Sequence, residues 1–256
     1  MYLLMKKDGE WRFPEEEVDV GFGSLPGGST GADETPGVGF PEGGIQFLLQ
    51  IGGEGDSRLL VNSAYDQQTW LYGKELDYTP DPVIEEDPQA GVFEPWRLAL
   101  NRPLVLPESK RKIPFEDYEV GVMKPGITDP ADPDFDSPAD WYAEGDVLEV
   151  RIPWTMVGYT HPSTTRVWDY PYEAGDLRVY PTVREPGQTS RKEVRPLLHL
   201  EGLGPADLPR TQKEGLLAVG REVRDPRPGS RAAAVTSVGR RDKVPRPRGA
   251  RLILSR

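Results

Sequence analysis

Cysteine is absent from the 256 residues, which removes disulfides, thiolate metal centres and a cysteine nucleophile together. Histidine is scarce. His161, beside a proline in a predicted loop, and His199, inside the apolar run LLHL, leave little material for a His-rich zinc centre or a histidine-based triad. No apolar run approaches the roughly 20 residues that cross a bilayer. The opening MYLLMKKDGEW puts charge directly behind a short apolar stretch, the wrong pattern for a secretory leader. A first residue that falls inside a strand-like segment leaves open that sequence precedes it. A GxSxG elbow, a P-loop, an HExxH helix and a GxGxxG behind a strand are also missing; GGSTG and GGEGD are loop glycines. A glycosidase needs only two carboxylates, and nothing among the 42 acidic residues singles out such a pair.

Glycine and proline, by contrast, are abundant. At 28 and 27 residues they exceed a fifth of the chain and divide it into short segments, which favours strands over long helices. Charge is split unevenly. Residues 220–256 carry 11 Lys and Arg against 3 Asp and Glu, so the overall −11 leaves −19 on residues 1–219. An acidic body argues against nucleic acid or an anionic membrane as its partner, since both need a cationic face. The tail combines Arg, Pro, Gly and Ser with few large apolar side chains and reads as disordered. It has no aromatic residue to stack on bases, so it reads either as a basic arm for an acidic surface or as an appended segment of no biochemical role.

The expected architecture is all-β: one antiparallel β-sandwich of jelly-roll type over residues 1–219, with long loops, followed by the disordered basic tail 220–256. Predicted strands are Tyr2–Lys7, Ile45–Ile51, Arg58–Asn62, Phe93–Leu100, Tyr118–Met123, Asp146–Trp154 and Leu177–Val183. The clearest is DVLEVRIPW, where Leu148, Val150 and Ile152 fall on one face and Glu149 and Arg151 on the other. Pro153 should end that strand, with a turn or one helical turn over Thr155–Tyr159. Pro181 argues for an edge position. IQFLLQI and RLLVN, separated by GGEGDS, read as a hairpin. Tyr65–Tyr72 fits either a strand or a short helix, Asp77–Pro88 is a loop, and the glycine- and proline-rich Gly21–Gly44 reads as a long solvated excursion.

Taken in order, MYLLMKKDG, GIQFLLQIGG, RLLVN and above all DWYAEGDVLEVRIPWTMVGYTHPS resemble the family 9 carbohydrate-binding-module or DOMON-like sandwich. In that superfamily a strand of the type E-[VI]-x-[IV]-P-W, a short turn and a Gly close the sandwich, and Glu149–Gly158 is similar to this. The resemblance covers residues 1–184 and extends to the C-terminal domains of glucodextranase-type enzymes. It implies an accessory module that binds a polysaccharide or oligosaccharide outside the cell. The family's preceding strand and its Asp-rich, Trp-containing segment have no counterpart here.

A sugar is held by stacking its C–H faces on Trp or Tyr while polar side chains take the hydroxyls. The candidates are Trp168, Tyr170 and Tyr172, alternating as W-D-Y-P-Y with Asp169 and Glu173 beside them, then Trp70 and Tyr72 near Asp66, and Trp96 after an acidic loop. Trp141 and Trp154 read as core. For a cofactor, DPADPDFDSPAD offers Asp132, Asp134 and Asp136 at the alternate spacing of a calcium loop, flanked by Asp129 and Asp140. It is not an EF-hand, since Ser137 and Ala143 replace the expected glycine and bidentate glutamate.

Overall fold

Leu148, Val150 and Ile152 are each at most 1% exposed, and Glu149 and Arg151 between them are half-buried, so the alternation read in the sequence is the alternation of a strand with one face in a core. The computed structural model describes residues 1–40, 43–160 and 177–184, and the backbone of 161, 166–167, 192–193, 198–200, 217–218 and 251–255.

One sheet runs in the order β11 (Trp141–Glu144), β12 (Val147–Arg151), β1 (Tyr2–Lys6), β19 (Arg251–Ser255) and β18 (Leu217–Ala218). The other runs β17 (Leu198–Leu200), β15 (Leu177–Arg184), β2 (Glu17–Gly23), β4 (Phe47–Ile51), β5 (Arg58–Asn62) and β6 (Phe93–Pro95). Both are antiparallel throughout. Two ribbons, β7 (Arg97–Asn101) with β10 (Glu116–Glu119) and β8 (Leu104–Val105) with β9 (Lys112–Ile113), form one long hairpin. Minor pairs join β3 (Val38–Gly39) to β16 (Lys192–Glu193) and β13 (Tyr159–His161) to β14 (Arg166–Val167).

The two sheets close on one core. Leu3 and Met5 of β1, Trp141 of β11, and Leu148 and Val150 of β12 meet Val18, Val20 and Phe22 of β2, Phe47 and Leu49 of β4, and Leu59 and Val61 of β5. This is the antiparallel sandwich the sequence predicts. Trp141 is buried as expected, and Trp154 packs on the core edge-on to Tyr159.

The reading of Gly21–Gly44 as a solvated excursion is overturned. Its first three residues complete β2, and its described remainder, residues 24–40 and 43–44, lies back over the far face of the six-stranded sheet. There Ala32, Val38, Phe40 and Ile45 pack with Leu48, Leu60, Phe93 and Tyr180 in a second buried cluster. Gln46, fully buried, fixes this covering: its Oε1 accepts from the Ser24 and Leu25 N–H at 2.9 and 3.2 Å, and its Nε2 donates to the Leu25 and Gly27 carbonyls. Gly44, at φ +67°, allows the return, because a Cβ there would stand 2.5 Å from the Gly28 carbonyl oxygen.

Three further details differ from expectation. The strand of Pro181 is flanked by β2 and β17, yet β17 pairs only Leu177–Val179, so among the described residues Pro181 itself has a strand partner on the β2 side alone. The strand expected over Tyr118–Met123 pairs with β7 only to Glu119; beyond it the chain crosses to β5, where the Gly121 carbonyl accepts from the Leu59 N–H at 2.7 Å, Val122 bridges Arg58 and the Met123 N–H donates to the Ser57 carbonyl at 2.9 Å. Within the tail read as disordered, Arg251–Ser255 forms a strand in antiparallel register with β1, Leu3 opposite Leu254. Its Leu252, Ile253 and Leu254 are the one run of consecutive large aliphatic side chains in that segment.

Candidate functional site

The segment that left strand and helix open is helical. Asp66 caps it: its Oδ1 accepts from the Gln68 and Thr69 N–H, each at 3.1 Å, and its Oδ2 from the Thr69 hydroxyl at 2.6 Å. A helical turn, α1 (Gln67–Thr69), passes into a wider turn over Trp70–Glu75. Two positions apart on such a turn point to nearly opposite sides, so Trp70 and Tyr72 do not form one platform. Lys74 Nζ sits 3.8 Å above the Trp70 ring, and the indole N–H donates to Glu75 at 3.3 Å. Tyr72 instead packs with Tyr78 and Phe115, at centroid distances of 6.0 and 5.5 Å.

Trp96 is a correction of another kind. It is 5% exposed and stacks on Phe47 at 5.2 Å, inside the core, so it presents no face to a sugar. Trp168, Asp169, Tyr170 and Tyr172 lie outside the described residues.

Asp132, Asp134 and Asp136 lie along a run of turns between residues 130 and 138. Asp132 Oδ1 accepts from the Asp134 N–H at 2.9 Å, and Asp129 Oδ1 from the Ala131 N–H at 2.8 Å, so these carboxylates close local turns of their own backbone. Among the described residues no three His, Cys, Asp or Glu side chains come together as a metal site.

A second acidic group lies where the covering loop meets β6. Burial pushes the Glu34 carboxyl up, Asp33 and Glu94 push it further, and the Phe93 N–H holds it back. Burial likewise raises Glu94, with Asp66 adding to the shift. Beside this group Arg184 reaches across the outer face to Asp19, whose side chain is wholly buried, and to Glu17 at 2.6 Å.

What the sequence did not single out is the hairpin of residues 97–119. Its two faces differ. On one, Arg97 grips Asp117 through two hydrogen bonds of 2.9 and 2.7 Å, with Glu119 at 3.9 Å. On the other, Leu98 stands directly opposite Tyr118, with Leu100 next along the strand; they are 37%, 52% and 66% exposed. Toward the tip Leu104, Val105 and Leu106 are exposed as well. A tight turn follows, in which the Lys110 N–H returns to the Leu106 carbonyl at 2.9 Å with Lys110 at φ +56°. Phe115, packed on Tyr72 and Tyr78, ties the hairpin to the helical turn. The signal available in the sequence was the spacing of R-L-A-L-N against D-Y-E, an alternation of polar and apolar positions on both strands.

No helix among the described residues is long and apolar enough to cross a membrane. Compared with known proteins, the chain matches no family model, no curated protein and no solved structure.

Proposed function

We propose that this chain is an interaction module: a β-sandwich that acts by binding a macromolecular partner through the amphipathic hairpin of residues 97–119. The observation that carries the reading is the exposed apolar face formed by Leu98, Leu100 and Tyr118, with Leu104, Val105 and Leu106 also exposed nearer the tip. A two-stranded ribbon is marginal by itself in water, and one that turns its apolar face outward gains stability only when something covers it. The tryptophans add support, since Trp11, Trp96 and Trp141 are buried and Trp70 lies under Lys74.

A carbohydrate-binding module of the family 9 type is the second reading. What favours it is the local form of Glu149–Gly158, where a strand with one buried face gives way to a helical turn over Trp154–Val157 and ends at Gly158 with φ +89°. Thermal unfolding with a panel of soluble oligosaccharides separates the two. A ligand at one hundred times its dissociation constant stabilises by about 2.7 kcal/mol. The interaction reading expects an unmoved midpoint, whereas a rise with one sugar, lost when Trp168 and Tyr170 are changed to alanine, would replace it with the carbohydrate reading.

A further inference from the structure

Of the eleven large apolar side chains most exposed on the described surface, Leu98, Leu100, Leu104, Val105, Leu106 and Tyr118 belong to this one hairpin. Its tip has a second property. Arg102, Lys110, Arg111 and Lys112 are all exposed there, and none of them takes part in an ion pair among the described residues. These free cations sit on a body, residues 1–219, that carries −19. The acidic stretch 129–140 is one surface of that body, with Asp129, Asp134 and Asp136 exposed.

We infer that the occupant of the hairpin's apolar face is a second copy of this chain, the cationic tip of each copy seating against the acidic body of the other. The inference rests on the hairpin being the contact surface, and charge complementarity selects the occupant: the tip and the body attract each other, while the shared apolar stripe supplies the area. Residues 97–119 are a segment of the size that one side of a standard interface uses, about 20–30 residues. The contact would be isologous, with each copy giving and receiving one hairpin. An anionic lipid surface fits less well. It would engage apolar side chains gathered at the tip, whereas here they extend back along the shaft to Leu98.

Sedimentation equilibrium of the full chain over a wide concentration range tests this, with two variants as controls. Leu100→Asp with Val105→Asp removes the apolar stripe, and Lys110→Glu, Arg111→Glu and Lys112→Glu together reverse the tip; all five positions are exposed, and unchanged melting midpoints would show that both variants fold. The expected result is a mass rising from the 28.5 kDa of one copy toward twice that value, weakened by salt, with each variant raising the dissociation constant about tenfold or more. A one-copy mass at every concentration overturns the inference, as does a two-copy mass that neither variant alters. If the single copy instead cosediments with phosphatidylserine vesicles, and the variants abolish this, the second-copy inference falls while the hairpin stands as the contact surface. A single copy that ignores vesicles and is stabilised by an oligosaccharide overturns both.

Discussion

Arg184 shows how much can depend on one side chain. Asp19 is wholly buried in the second strand of the larger sheet and is held by Arg184 and by the Gln50 amide at 3.0 Å. Arg184→Met would leave that carboxylate buried without its cation, which costs about 3–5 kcal/mol; adding Asp19→Asn should recover part of the loss. Urea unfolding measures both. Glu34 and Glu94 carry the opposite sign. Their folded-state values lie above the ordinary glutamate value of 4.5, so the folded protein keeps protons that the unfolded chain has already released. Their contribution is therefore lost as pH rises from about 4.5 through the raised values. Glu34→Gln combined with Glu94→Gln is expected to raise the melting midpoint at pH 7 and to flatten its fall between pH 4 and 7. A lowered midpoint at pH 7 would show that the two carboxylates hold a positive partner. None of this was legible in the sequence, because the pairing of Asp19 with Arg184 spans 165 residues.

Among the elements, the strands whose two faces differ were the legible ones. Val147–Arg151 and the hairpin of Phe47–Ile51 with Arg58–Asn62 form where alternation or short apolar runs predict them. The strand Glu17–Gly23 was missed although Val18, Val20 and Phe22 alternate, because its other face carries Asp19, Gly21 and Gly23 and so resembles the glycine-rich loop that follows. That loop hid its own order for a related reason: what fixes it is Gln46, a polar residue outside it. Gln46→Leu would strip partners from the Ser24 and Leu25 N–H groups and from two carbonyls, and each orphaned group costs about 1–3 kcal/mol. A loss of at least about 2 kcal/mol is expected, with new protease cleavage between residues 24 and 31. In the hairpin, Asp117 is held below the ordinary aspartate value of 3.8 by its hydrogen bonds to Arg97. Its contribution is present above about pH 3.8 and is lost as pH falls through the lowered value. Amide protection across the ribbon Arg97–Asn101 with Glu116–Glu119 should drop in acid, and Asp117→Asn should bring that drop to neutral pH.

At the scale of the whole molecule, the sandwich could be read from the sequence but its exposed apolar hairpin could not. Composition and alternation specify how many apolar faces must be covered, and the two sheets cover them. Which aromatic residues stay outside is decided by tertiary packing, which buries Trp96 against Phe47 and places Lys74 over Trp70. The same packing leaves the hairpin's Leu98, Leu100 and Tyr118 without cover, although leucines and tyrosines are ordinarily counted toward a core. That uncovered face is the contact surface proposed above. Amide hydrogen exchange of the full chain, compared between dilute and concentrated samples and with the oligosaccharide panel added, addresses this most directly. Slower exchange confined to residues 97–119 on concentration, with no change on adding sugar, is the predicted result; exchange in the hairpin that ignores concentration, with a sugar protecting another part of the sandwich, would contradict it.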